Sequence, residues 1–199
     1  EPSTRESMEI FLKSEPVDVT LAVAGTAENL FSLTYLVPTV NIATNPSFET
    51  GAPPTGYTAA GAAVSQSAII ARNGSNSMLV NPDNAAAGEG FYWGSVTIPG
   101  GPNDNNQSRF LVVSAYLNDN AGSGDGARIV IADSAGTTLV NGNTVVLAAS
   151  WQRSQAALNL INRTSVTYRI YFVTATQHNT NFYVDSFQAE LSRNSTPTA

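Results

Sequence analysis

The sequence predicts an all-β domain carried behind a short N-terminal arm, and three observations predict it. From residue 62 onward, short apolar-rich segments recur at close spacing between clusters of Gly, Asn, Ser and Pro, the pattern of a sandwich or barrel. The same region holds no apolar period of 3.6 long enough to make a helix. The composition also shifts near residue 40. Residues 1–40 contain Glu1, Glu6, Glu9, Glu15, Asp18 and Glu28 against only Arg5 and Lys13, whereas the rest is rich in Ala, Ser, Thr, Asn and Gly.

Within the arm, Met8, Ile10, Phe11 and Leu12 form a short apolar group, enough for one or two helical turns. Val17, Val19, Leu21 and Val23 then alternate with Asp18, Thr20 and Ala22, as in a half-buried strand. Residues 30–37 give a second strand, ended by Pro38. An arm this short closes no core of its own, so its apolar side must pack on the body or on a neighbouring subunit. In the body the predicted strands are 62–70, 77–80, 90–98, 110–117, 127–132, 138–147, 151–160, 167–173 and 182–191. Turn clusters punctuate them at 73–75, 99–104, 118–126 and 141–143. Residues 192–199 read as a flexible tail.

Bulk properties exclude several classes. Charged residues make up 12% of the chain and the formal net charge is -6, with Lys13 the single lysine. No basic cluster exists to release counterions from a nucleic-acid backbone. No apolar run approaches the roughly 20 residues that span a bilayer as a helix. The absence of Cys excludes disulfides and thiolate metal sites.

Two segments bracket the body: Asn45-Pro46-Ser47-Phe48-Glu49-Thr50-Gly51 and Asn181-Phe182-Tyr183-Val184-Asp185-Ser186-Phe187-Gln188. Between them stand Asn73-Gly74-Ser75-Asn76-Ser77-Met78-Leu79-Val80, Trp151-Gln152-Arg153 and Tyr168-Arg169-Ile170-Tyr171-Phe172. In this order and spacing they resemble the signatures of the carbohydrate-binding-module jelly rolls of families 4, 9 and 22. The likeness covers residues 41–191. One departure stands out: Gly56-Tyr57 occupies a place where the family often has Trp. The resemblance implies a jelly-roll β-sandwich and a structural Ca²⁺ where the ends of the chain meet. Glu49 and Asp185 would be its carboxylate ligands, with Ser47 and Asn76 adding oxygens. Two close carboxylates repel unless a cation lies between them, and Ca²⁺ takes 6 to 8 oxygens.

Sugar binding in such modules relies on exposed aromatic rings. Phe91-Tyr92-Trp93 is the densest aromatic cluster. Strand alternation puts Phe91 and Trp93 on one face and Tyr92 on the other, so one of Tyr92 and Trp93 is presented and the other is core. Tyr57, in a Gly/Pro-rich turn, is a second candidate platform. Tyr116, Tyr168, Tyr171 and Tyr183 read as core or cross-strand residues, and Trp151 as core.

Catalysis finds no constellation. His178 is the single histidine and has no nucleophile motif near it. The loop Asp119–Gly126 spaces oxygens with glycines but lacks the Glu that closes an EF-hand, and reads as a solvated hairpin loop.

The segment 40–51 is also similar to modules in structural proteins of tailed bacteriophages. The expectation is therefore a non-catalytic virion protein, a capsid decoration or tail-associated subunit and a homo-oligomer. Its arm would dock by adding a strand to a neighbouring sheet edge, burying Val19, Leu21, Val23, Phe31, Leu33 and Tyr35. The alternatives are a glycan-binding module of a secreted glycoside hydrolase, with Trp93, Tyr92 and Tyr57 as its platform, and a bacterial surface or pilus-like subunit.

Overall fold

The computed structural model describes residues 40–97, 110–161, 163, 167–192 and 195. They all belong to the unit Pro38–Ala199. The arm strands at 17–23 and 30–37, the docking residues Val19, Leu21, Val23, Phe31, Leu33 and Tyr35, and all of the tail except Ser192 and Ser195 lie outside the described residues.

The described residues form eleven strands and no helix. These are β1 (Tyr57–Ala60), β2 (Ala62–Ser67), β3 (Ser77–Pro82), β4 (Gly90–Thr97), β5 (Phe110–Asn118), β6 (Gly126–Asp133), β7 (Thr138–Asn141), β8 (Val145–Val146), β9 (Gln152–Asn159), β10 (Thr167–Thr174) and β11 (Phe182–Ser192). One sheet runs β1-β4-β10-β6-β7, with β8 also on β6, and the other runs β2-β3-β11-β5-β9. All named strand pairs are antiparallel. This is the expected all-β jelly roll.

The sequence prediction differs at three places, each for a local reason. β1 was absent from it, because Gly51, Pro53, Pro54 and Gly56 make residues 51–56 look like an uninterrupted turn region. The chain then crosses from one sheet to the other at Gly61, which has φ +74°, a left-handed conformation that favours glycine. The single strand expected over 138–147 splits into β7 and β8. Between them the Gly142 amide donates to the Ile129 carbonyl at 2.8 Å and the Asn143 amide to the Gln155 carbonyl at 3.1 Å. Trp151 is half-buried just ahead of β9, where a core residue was expected.

Both sheets face one apolar core. β4 contributes Phe91 and Trp93, β10 contributes Tyr168, Ile170 and Phe172, and β11 contributes Phe182, Val184, Phe187 and Ala189. The rings form a continuous chain. Phe91 stacks on Phe172 at 4.8 Å, Phe172 meets Phe187 edge-on at 4.9 Å, and Trp93 meets Phe187 at 5.4 Å. Such pairs add to the stabilisation from burial alone.

A bulge in β11 makes this packing possible. Asp185 opposes Tyr116 and Gln188 opposes Ser114, so β11 carries one extra residue there. Ser186 takes φ +54°. Core-facing residues before the bulge are Phe182 and Val184; after it the parity changes and Phe187 and Ala189 face inward. The segment before β1 closes onto this strand. Asn41 exchanges side-chain hydrogen bonds with the Phe187 carbonyl and the Ala189 amide, both 2.9 Å. The Phe187 amide donates to the Pro46 carbonyl at 2.8 Å. Asn45 locks the following loop by bonding both the amide and the carbonyl of Thr50. Phe48, held at φ +57°, is fully buried.

Candidate glycan-binding face and carboxylate clasp

Strand alternation decides which aromatic rings reach solvent. Trp93 is only 6% exposed and sits in the core, which corrects its place among the candidate sugar platforms. Tyr57 is corrected too. Its ring packs at 4.8 Å from Phe48 and 5.6 Å from Phe91, and its hydroxyl donates to the carbonyls of Thr44 and Asn45. Burial pushes the Tyr57 phenol well above its ordinary value. It is a core-wall residue whose polar tip ties down the 44–45 loop. Phe91 reaches it because β1 pairs with β4 in register Tyr57↔Trp93 and Ala59↔Phe91, and Phe48 comes from the loop ahead of β1.

Tyr92 points the other way and is half-buried on the outer face of the β1-β4-β10-β6-β7 sheet. Its cross-strand partner is Tyr171. Their rings lie 5.0 Å apart at 39°. Arg169, two residues before Tyr171 on the same face, holds its guanidinium carbon 5.1 Å from the Tyr92 ring centre. A hydrogen bond to the Tyr171 side chain raises the Arg169 pKa, so the guanidinium stays charged. The register extends this into a row across the sheet, Thr58, Tyr92, Tyr171, Val130 and Asn141. Thr58 and Asn141 are exposed at its two ends. Gly136 makes room for the Tyr171 hydroxyl, which a Cβ at that position would meet at 3.2 Å. The row offers apolar ring surface with hydroxyl, amide and guanidinium groups beside it, the mix that recognises a polyol with C–H faces.

Tyr171 and Arg169 were not among the candidates read from sequence. The signal was present: in Tyr168-Arg169-Ile170-Tyr171-Phe172 the charged Arg169 marks the outward parity, which Tyr171 shares.

Glu49 and Asp185 are brought to one place, the turn at residues 72–76. Asp185 is fully buried. Its Oδ2 accepts the amides of Arg72 at 2.6 Å and Asn73 at 2.8 Å, and its Oδ1 accepts the Ser186 amide at 2.5 Å. Glu49 Oε1 accepts the amides of Ser75 and Asn76, both at 2.9 Å, and its Oε2 accepts the Asn76 side-chain amide at 2.8 Å. Gly74, at φ +77°, lies beneath it, and a Cβ there would lie 2.3 Å from Glu49 Oε1 and displace the carboxylate. Burial raises the Asp185 pKa; the amides of Asn73, Arg72 and Ser186 partly offset this, and the Glu49 charge adds to it. The hydrogen bonds from Asn76 and Ser75 hold Glu49 below its ordinary value.

The two carboxylates close enough to feel each other fit the expected calcium site. Six N–H groups aimed at their oxygens do not, because those dipoles present positive ends where a cation would sit. Asn76 meets Glu49 with a backbone and a side-chain N–H. Ser47 lines the neighbouring cavity. As arranged, these residues do not fit a calcium coordination sphere; they make a hydrogen-bonded clasp that joins residue 49 and the last strand through one turn.

The other acids of the body serve similar local purposes. Glu89 accepts the amides of Asp83, Asn84 and Ala86. Asp119 accepts those of Ala121, Gly122 and Ser123, and so shapes the loop read from sequence as a solvated hairpin. Asp133 accepts those of Ala135 and Thr137. Among the described residues no group of three or more His, Cys, Asp and Glu side chains converges as a metal site.

No family model matches the chain, and no curated protein matches it. Solved structures do match. The CBM22-1 xylan-binding domain of Paenibacillus barcinonensis Xyn10C superposes with TM-score 0.54 at 20% identity, over 74% of this chain and 92% of that one. A second xylan-binding domain of CBM family 22 gives 0.54 at 22% identity, over 75% and 94%. TmCBM61, solved with β-1,4-galactotriose, gives 0.52 at 16% identity, over 75% and 97%. At these identities the likeness is one of fold, and the fold is the carbohydrate-binding-module jelly roll.

Proposed function

We propose that residues 41–191 form a non-catalytic glycan-binding module whose binding face is the Tyr92–Tyr171–Arg169 row. One observation carries this reading: two adjacent tyrosine rings, flanked by a guanidinium, stand on an outer sheet face, while Phe91 and Trp93 on either side of Tyr92 face the core. Three of the solved structures that match are two xylan-binding domains and a module in complex with β-1,4-galactotriose. They favour the glycan-module alternative over the virion reading. A pyranose would lay its C–H face on Tyr92 and Tyr171, with Thr58, Asn141 and Arg169 meeting its hydroxyls. The same likeness supports a secreted or cell-surface setting, since one matching solved structure joins a CBM22-1 module to the GH10 module of an endo-1,4-β-D-xylanase, complexed with xylohexaose. The docking role of Val19, Leu21, Val23, Phe31, Leu33 and Tyr35 draws no support from the described residues.

Affinity electrophoresis in gels containing soluble xylan or β-1,4-galactan tests the proposal. Retardation of the wild type by at least one of the two is expected. Tyr92→Ala and Tyr171→Ala should each lose about tenfold in affinity, or 1.4 kcal/mol, with the fold retained. Equal retardation of wild type and both variants would refute it.

A further inference from the structure

The opposite sheet carries a cavity that the proposed glycan face does not use. It has a volume of about 420 Å³ and is lined by Arg72, Tyr116, Arg153, Ser186 and Gln188, among others. That volume lies within the range of small-molecule sites, about 300–1,000 Å³. Two guanidinium groups converge on one ring here. The Arg72 guanidinium carbon is 3.5 Å from the Tyr116 ring centre, and that of Arg153 is 5.9 Å from it.

This convergence is unusual for the chain, in which 15 acids outnumber 9 Lys and Arg. The neighbouring carboxylate does not cancel it simply, because Asp185 spends its oxygens on the amides of Arg72, Asn73 and Ser186. Tyr116 and Arg153 are cross-strand partners on β5 and β9, and Asp185 opposes Tyr116 from β11, so three strands fix the geometry. Arg72 Nη1 reaches Ser186 Oγ at 3.4 Å, and Arg153 Nη2 donates to Ser114 Oγ at 3.1 Å. These bonds orient both planar groups. Stacking covers the face of the Arg72 guanidinium and leaves its N–H edge for a ligand.

We infer that this cavity binds the carboxylate of an acidic sugar, a uronic acid residue. A planar carboxylate matches the fork of a guanidinium. The cavity also exceeds what a bare anion fills, and Ser186 adds a hydroxyl suited to a sugar ring, beside a Gln188 amide that Glu190 Oε2 holds at 3.3 Å. The site is separate from the row on the other sheet and stands whether or not that row binds neutral glycan.

The test is a titration of the full chain with glucuronic and galacturonic acids by isothermal calorimetry, with glucose, galactose and inorganic phosphate as comparisons. Binding of at least one uronic acid, weakened at least tenfold by Arg72→Gln and by rising salt, is expected. In Tyr92→Ala protein, which lacks the other face, phosphate and the neutral sugars should bind at least tenfold more weakly than that uronic acid. Tyr92→Ala, on the other sheet, should leave uronate affinity unchanged. Arg72→Gln keeps the backbone amide that holds Asp185, and an unchanged melting temperature confirms its fold; Tyr116→Phe, which keeps the ring, should retain binding. No uronate binding by the wild type overturns the inference. So does phosphate, or in Tyr92→Ala protein a neutral sugar, binding as tightly as the acid, or loss of uronate binding on Tyr92→Ala but not on Arg72→Gln.

Discussion

Replacing Gly90 by Ala separates what strand propensity says from what this packing says. By propensity alone, Gly to Ala in a strand interior gains roughly 0.5–1 kcal/mol. Here a Cβ on residue 90 would lie 1.9 Å from the Phe172 carbonyl oxygen and 3.0 Å from the Val173 Cα, both backbone atoms. No side-chain rotation relieves that contact, so β4 and β10 must separate by more than an ångström at the Gly90↔Val173 and Phe91↔Phe172 pairs. Overpacking of this kind costs about 1–3 kcal/mol, and two strained ladder bonds add about 1 kcal/mol each. After the propensity gain is subtracted, a net loss of about 3 kcal/mol remains. In a domain of this size that lowers the melting temperature by roughly 6–12 °C. Thermal unfolding followed by near-ultraviolet circular dichroism reads it directly. The same widening displaces Tyr92 relative to Tyr171, so any glycan affinity should fall with it. A variant as stable as the wild type, or more stable, would show that β4 and β10 do not approach as described.

Trp93→Ala should cost about 3–5 kcal/mol, as expected for a large core residue, whereas Tyr92→Ala should cost under about 1.5 kcal/mol; chemical denaturation of the two side by side checks their assignment to opposite faces. Asp185→Ala leaves the amides of Arg72, Asn73 and Ser186 without their acceptor, at about 1–3 kcal/mol for a group that water does not reach, and should lower the melting temperature by several degrees. Because six N–H groups satisfy the clasp, millimolar EDTA should leave the melting temperature unmoved; a fall restored by added calcium would return the cation to Glu49 and Asp185. Glu49, Glu89, Asp119 and Asp133 all have carboxyls lowered from ordinary values of 4.5 or 3.8. Their stabilisation is complete above those values and is lost as the pH falls through the lowered ones. Asp185, raised by burial, acts in the opposite sense. Four groups against one predict a melting temperature that drops as the pH is taken from 5 to 3, and a rise over that interval would contradict the assignment.

The sandwich was legible because its strands are short, alternating and fenced by Gly and Asn turns. Eight of the nine predicted body strands correspond to one observed strand each, and the ninth broke at its own Asn-Gly-Asn cluster. What escaped reading depends on long-range geometry. β1 follows a Gly/Pro-rich turn and becomes a strand only because β4 lies beside it. The parity change in β11 comes from a single residue, Ser186, with nothing in the sequence to mark it. Strand alternation left two options for Tyr92 and Trp93, and only the position of the core chose between them. Tyr171 could have been found from the alternation around Arg169. The approach of Arg72 to Tyr116, 44 positions apart in the chain, could not. Glu49 and Asp185 were expected near one another from the resemblance alone. That they would be joined through the amides of residues 72–76 follows from the turn's backbone, which no side-chain pattern encodes.

The proposed site for neutral glycan is the outer sheet face that holds Tyr92 and Tyr171. Its most direct test is to titrate xylohexaose and β-1,4-galactotriose into isotopically labelled protein and map the amide shifts. Saturable shifts are expected with at least one of the two sugars, clustered at Thr58, Tyr92, Arg169, Tyr171 and Asn141. Shifts confined to the other sheet, or none with either sugar at millimolar concentration, would contradict it.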